Sequence, residues 1–167
     1  MSTRTSTSVH TVTQTATYLT EVILGTIADV LADLGINLTR LYADWSQDES
    51  AIAAWIAEGS LKEVILECHR PSGTVSPVFE FPISYHAGGV GDAQFVNSRA
   101  AMARYRAKLE SVPLGTTYRL FCTFSGPHTT QPGWSAGKRA STDGLRATSF
   151  GTLAEGPHAR AGLRHLS

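Results

Sequence analysis

The strongest constraint on the fold is a run of twenty residues, 15–34, whose apolar side chains recur every three or four positions. The apolar positions are Leu19, Val22, Ile23, Ile27, Val30, Leu31 and Leu34. This spacing is typical of an α-helix with one buried face, and Gly35 follows as a C-cap. A chain of 167 residues is long enough to bury a core without disulfide or metal staples. We therefore predict a single domain built around this helix.

Further patterns predict a short helical piece, two more long helices and three strands downstream. In chain order they are a short helical piece from Asn37 or Thr39, a helix over 46–58, hairpin strands over 61–69 and 75–85, a helix over 98–110 and a third central strand over 116–124. The second helix is expected to bury Ile52, Trp55 and Ile56, with Gly59 at its end. The order is ααββαβ, so the predicted class is α+β.

The two ends of the chain lack such patterns. Residues 5–14 are rich in β-branched residues but short of core material, and indicate an edge strand or a mobile arm. The last 43 residues, 125–167, contain seven Gly, three Pro and ten Ser or Thr. Such a long segment without clear elements is usually functional or disordered, and its scattered aromatic residues favour docking on the body. We predict an arm over 1–14, a core over 15–124 and a tail over 125–167.

Charge and cysteine content exclude several classes of protein. The net charge is zero, which disfavours direct binding to nucleic acid, although the tail carries +3 and the remainder −3. Cys68 and Cys122 lie far apart in apolar stretches, which is typical of buried thiols in a reducing compartment such as the cytoplasm. The first ten residues lack the apolar stretch of a signal peptide, and acidic residues interrupt the 15–34 run, so no membrane span is predicted.

One short motif suggests catalysis. Residues Gly133-Trp134-Ser135-Ala136-Gly137 fit the G-x-S-x-G pattern of a hydrolase nucleophile, and Asp143 and His158 follow in the order of a Ser-Asp-His triad. That chemistry requires the serine on a strained turn between a strand and a helix. Pro132-Gly133 breaks any preceding strand, and no helical pattern follows. We therefore predict an ordinary Gly/Ser loop and no catalytic residues.

The remaining candidate sites are weaker. Cys68 and His69 are neighbours on a strand and point to opposite faces, so they cannot share a metal ion without a bulge. The run Gly88-Gly89-Val90-Gly91 lacks the residues of a phosphate-binding loop and is interpreted as a flexible connection. His128, His158 and His165 have no regular spacing and are expected to be solvated. No metal or cofactor is predicted.

Several segments, taken together in their order, resemble bacterial HORMA-domain proteins. They are Ser8-Val-His-Thr-Val-Thr13, Tyr18-Leu-Thr-Glu-Val-Ile-Leu24, Tyr42-Ala-Asp-Trp45, Leu61-Lys-Glu-Val-Ile-Leu-Glu67, Pro132-Gly-Trp134, Ser141-Thr-Asp-Gly144 and Ser149-Phe-Gly-Thr152. The resemblance covers nearly the whole chain. It implies a HORMA fold, in which three helices pack on a mainly antiparallel sheet and the C-terminal tail, 125–167, is a "safety belt" that closes around a short closure-motif peptide.

The resemblance also implies a function. Bacterial proteins of this kind are similar to adaptors of CBASS antiphage systems, in which the closed, peptide-bound form activates a cGAS/DncV-like nucleotidyltransferase. A pachytene-checkpoint-type AAA+ ATPase reopens them by engaging the N-terminal region. By analogy, the peptide lies between the third helix and the belt, with Met102, Tyr105, Trp134 and Phe150 as candidate lining residues, each of which is equally suited to packing. Two alternatives stay open: a serine hydrolase built on Ser135, and a structural domain whose tail donates a strand to a neighbouring molecule.

Overall fold

The computed structural model describes residues 2–86 and 95–167, and the side chains from residue 11 onward within them. The predicted connection Gly88-Gly89-Val90-Gly91 lies outside the described residues. Within these ranges the chain forms four helices and six strands. They are α1 (Ser2–Leu34), α2 (Thr39–Ala43), α3 (Trp45–Glu58), β1 (Leu61–His69), β2 (Val75–Tyr85), β3 (Val96–Asn97), α4 (Arg99–Arg106), β4 (Thr117–Phe124), β5 (Ala147–Glu155) and β6 (Ala159–Leu166). The predicted α+β class is confirmed, and the predicted ααββαβ order holds for the long elements up to β4, although the short strand β3 between β2 and α4 was not predicted.

Helix α1 forms the centre of the core. Leu19, Ile23, Ile27 and Leu31 are fully buried, and Gly35 ends the helix in the left-handed conformation at φ +81°, as predicted. The helix begins at Ser2, so the predicted strand over 5–14 is wrong. Once the buried part of the helix has formed, extending it by further residues is favourable even where those residues are weak helix formers. The role of 1–14 as a mobile arm stays a prediction. Thr11–Leu34 has the length and composition of a membrane span, but its apolar face packs inside the protein.

The six strands form one antiparallel sheet in the order β3-β5-β6-β2-β1-β4. The β1–β2 hairpin has the predicted bounds. The predicted central position of β4 is wrong: β4 is an outer strand, because the tail adds its strands on the far side, beside β2. The tail therefore contains two long strands where the composition predicted no clear element. Leu153, Ala161 and Leu163 of these strands belong to the core.

The two faces of the sheet differ in their cover. The helices cover one face, here called the helical face, where Val64, Leu66, Phe79 and Phe81 pack in the cluster that contains α1. The opposite face carries a smaller cluster of Ile65, Val78 and Leu166, to which Phe121 and Leu145 add. Helix α4 stops at Arg106, before the predicted end at residue 110, and Arg106 binds Asp33 of α1 at 2.6 Å. The ion pair fixes α4 beside α1.

Candidate functional site

The outer edge of β4 carries no strand in the described part of the chain. β4 pairs with β1, and Arg40 donates a hydrogen bond to the backbone carbonyl of Tyr118 at 2.5 Å. The carbonyl of Tyr118 therefore faces away from β1. Because backbone groups alternate in direction along an antiparallel strand, those of Leu120 and Cys122 face outward as well. An unpaired edge of this kind is a template for an added strand.

Residues 125–146, here called the crossing segment, enclose this edge. The segment leaves the end of β4 on the helical face and first binds the C-terminal end of α3. The indole N–H of Trp55 donates to the carbonyl of Thr129 at 2.7 Å, and the carboxylate of Glu58 accepts two hydrogen bonds from Thr129. Hydrogen bonds from Ser60 and Thr129 lower the pKa of Glu58. One end of the crossing segment is thereby fixed to the helical face.

The middle of the crossing segment turns around β4. Gly133 has a φ of +80°, and a Cβ atom there would lie 1.5 Å from the side-chain nitrogen of Gln47 on α3. A few residues later, a Cβ at Gly137 would meet the ring of Phe121, on the opposite face of the sheet, at 3.3 Å. The chain thus passes from one face to the other between these two glycines. The edge of β4 lies inside the resulting loop.

Two buried carboxylates hold the far end of the crossing segment. Glu80 of β2 accepts a hydrogen bond from Arg139 at 2.8 Å and also binds Arg164 of β6. Burial alone raises the pKa of Glu80, but the two guanidinium groups outweigh it and lower the pKa. Glu67 of β1 accepts a hydrogen bond from the backbone N–H of Ala140 at 2.7 Å. The segment is therefore anchored on both faces of the sheet.

A cavity of about 640 Å³ lies between the C-terminal half of β4 and the crossing segment. Its aromatic wall centres on Trp55, which makes edge contacts with Phe124 at 4.9 Å and with Trp134 at 5.4 Å between ring centroids. His128 stacks on Phe124 at 3.5 Å. The lining residues in the described ranges include no Asp, Glu, Lys or Arg. The size falls within the range of roughly 300–1,000 Å³ that is usual for ligand sites.

A second cavity, of about 370 Å³, lies at the N-terminal end of β4 and is charged. It shares Leu120, Phe121 and Trp134 with the first cavity, so the two form one groove along the edge. Asp48 of α3 lines this end and is only 8% exposed. Burial and the neighbouring Asp44 raise the pKa of Asp48 to about 6, while Arg40 lowers it. The groove is therefore apolar at one end and polar at the other.

The predicted lining residues fall in two places. Trp134 lies in the groove. Tyr105 and Phe150 contact each other at 5.9 Å near β6, where the hydroxyl of Tyr105 bonds to His165, and Met102 is 4% exposed in the core. Peptide contact at these three positions stays a prediction. The residues that line the β4 groove beside Trp134 were not predicted: Asp48, Trp55, Leu120, Phe121, Cys122, Phe124 and His128.

The structure gives the hydrolase motif no catalytic context. Ser135 is exposed in an irregular stretch, with no helix between it and β5. The prediction of solvated tail histidines holds for His128, which is exposed although it stacks on Phe124, but not for His165, which is half-buried and stacks on Phe79, where burial lowers its pKa. Burial raises the pKa of Cys68 to about 12, as suits an inert thiol. In the described ranges, no group of three or more His, Cys, Asp or Glu side chains is arranged to hold a metal ion.

Comparison with known proteins identifies the fold. A family model described as Bacterial HORMA domain 2 matches residues 4–163. A chain of the mitotic checkpoint complex superposes with a TM-score of 0.72 at 7% identity, covering 93% of this chain and 95% of that one. C. elegans HTP-2 bound to the HIM-3 closure motif gives 0.67 at 16% identity, with 91% and 89% covered. The E. coli MS115-1 CdnC:HORMA-deltaN complex gives 0.63 at 13% identity, with 92% and 87% covered. No curated protein sequence matches significantly.

Proposed function

The chain belongs to the bacterial HORMA domain 2 family, and on that premise we propose that it is a signalling adaptor that closes around a closure-motif peptide at the edge of β4. The observation that carries the proposal is the enclosure of an unpaired strand edge by the crossing segment. The fold neighbour HTP-2 was solved with a closure motif bound, which supports a peptide as the occupant.

Main-chain pairing supplies part of the affinity. Leu120 and Cys122 each offer an outward N–H and C=O, so an extended peptide gains up to about four backbone hydrogen bonds, each contributing roughly 0.5–1.5 kcal/mol. Peptide addition to a sheet edge takes its specificity from pockets for alternate side chains. The cavity around Trp55 and Trp134 is suited to a large apolar side chain.

The crossing segment determines how long the peptide stays bound. A peptide paired with β4 lies inside a closed loop and leaves when one anchor releases, either at Thr129 or at Arg139 and Ala140. The two arrangements, closed and released, form a two-state switch whose balance the peptide shifts by binding the closed state. The change between the closed and released arrangements is the signal that the adaptor transmits.

Downstream of closure, we place the protein in the cytoplasm in an antiphage pathway. The E. coli complex joins CdnC with a HORMA protein of the same fold, which supports activation of a cGAS/DncV-like nucleotidyltransferase by the peptide-bound form. Reopening is assigned to a pachytene-checkpoint-type AAA+ ATPase that engages residues 1–14. On this account the chain itself is not an enzyme and takes no cofactor.

Peptide selection tests the proposal. A random peptide library is selected on the full chain, and the affinity of an enriched peptide is measured by fluorescence anisotropy. Trp134→Ala should weaken binding by about tenfold or more, because truncating a central aromatic contact costs about 2 kcal/mol or more. Trp45→Ala is the matched control, since Trp45 is also half-buried but lies outside the groove. Failure to enrich any peptide, or equal losses in the two variants, would contradict the proposal.

A further inference from the structure

The polar end of the β4 groove contains one buried charge that forms no ion pair within the described part of the chain. Arg40 also lies there, but its guanidinium donates to the carbonyl of Tyr118 and stacks on the Tyr118 ring at 4.3 Å. Arg119 is exposed. Asp48 is only 8% exposed and lines the cavity, and its carboxylate accepts no hydrogen bond in the described part of the chain. The buried side chain that lacks a partner at this end is therefore acidic.

A largely buried carboxylate without a protein donor is poorly solvated, because burial removes part of its water without replacing those hydrogen bonds. The position of Asp48 makes a bound peptide the natural source of a donor. Asp48 and Trp55 both belong to α3, seven residues apart, and both line the groove. One helix thus presents an acceptor at one end of the β4 edge and an aromatic surface at the other.

Resting on the proposed function, we propose that the groove selects peptides that carry a lysine or arginine facing Asp48 and a bulky apolar side chain in the cavity at Trp55. The basic side chain donates hydrogen bonds to the carboxylate of Asp48, and charge-assisted bonds of this kind are stronger than neutral ones. The apolar side chain fills the cavity that lacks charged groups. The charge pair fixes the position of the peptide along the edge, which main-chain bonds alone leave free to slip.

The separation of the two sites sets the spacing in the peptide. Seven residues of α-helix span about 10.5 Å along the axis. Side chains on one face of an extended strand recur about every 6.8 Å. The basic and apolar residues are therefore two or four positions apart, with the flexible lysine or arginine stem taking up the difference.

Parallel selections test this inference. The same random library is selected on the wild-type chain, on Asp48→Asn and on Asp143→Asn, which removes an exposed carboxylate of the crossing segment as a matched control. Wild-type and Asp143→Asn selections should enrich a basic residue two or four positions from a bulky apolar one. The Asp48→Asn selection should keep the apolar residue and lose the basic one.

Affinities then give a double-mutant cycle. Replacing the basic residue of an enriched peptide by methionine should cost about tenfold in the wild type and little in Asp48→Asn. Enriched peptides that lose affinity in Trp134→Ala but show no basic preference would overturn the selectivity and leave the proposed function intact. A basic preference that persists in Asp48→Asn would also overturn it. Absence of any enriched peptide on the wild type would instead contradict the proposed function.

Discussion

The anchor between Arg139 and Glu80 leads to the most specific prediction about the switch. Replacing Arg139 by methionine keeps the length of the side chain but removes the hydrogen bond of 2.8 Å to the carboxylate of Glu80. A hydrogen bond to a charged group contributes roughly 1.5–3 kcal/mol. Arg139 is 29% exposed, which places its contribution near the lower value, at about 1.5 kcal/mol. Peptide dissociation should therefore be about tenfold faster, since release of the crossing segment becomes easier by that amount.

The chain offers a matched control for this change. Arg164 binds the same carboxylate but belongs to β6, so Arg164→Met disturbs Glu80 without releasing the crossing segment. Dissociation is measured by fluorescence anisotropy after adding excess unlabelled peptide, and stability by thermal denaturation of both variants. The reasoning is refuted if the two variants lower stability similarly and accelerate dissociation equally. Removal of 133–167 would be a poor substitute, because it deletes β5 and β6 from the sheet.

Three further predictions concern stability. Trp55→Phe keeps an aromatic ring but removes the donor to Thr129, and should lower the free energy of unfolding by about 1 kcal/mol in urea titration. The pKa of Asp48 is raised from 3.8 to about 6 in the folded state, so the free energy of unfolding falls as pH rises through that window. Asp48→Asn should remove this pH dependence and, allowing for solvent screening, add about 1–2 kcal/mol at neutral pH. Denaturation of both proteins at several pH values measures the difference. Gly133→Ala should cost roughly 1–2 kcal/mol through its positive φ and the displaced Gln47, and Gln47→Ala in the same chain should recover part of that loss.

Local sequence patterns predicted much of the fold. The period of apolar residues in α1, the glycine caps at Gly35 and Gly59, and the β1–β2 hairpin depend on neighbours in the chain, and all agree with the structure. The order of the strands in the sheet, in contrast, depends on contacts between residues far apart in the chain. β4 was expected in the centre because its sequence is dense in aromatic and β-branched residues, but the unpredicted tail strands extend the sheet beside β2 and leave β4 at an edge.

The tail strands β5 and β6 were not predicted, and the reason is physical. Most of β5 is exposed, and bulges interrupt its pairing with β6 near Gly151, so it lacks the regular apolar alternation that predicts a strand. In the groove, Trp134 was named beforehand only through the resemblance to HORMA-domain proteins. Asp48 resembled an ordinary first-turn carboxylate, since only the folded chain shows that it is buried.

The central claim is that a peptide adds to the outer edge of β4 beneath the crossing segment. Amide hydrogen exchange at single residues, followed by NMR with and without an enriched peptide, tests it most directly. The outward amides of Leu120 and Cys122 should exchange much more slowly when peptide is bound, while the inward amide of Phe121, already paired with β1, should change little. Tight binding with unprotected amides at Leu120 and Cys122 would contradict the account.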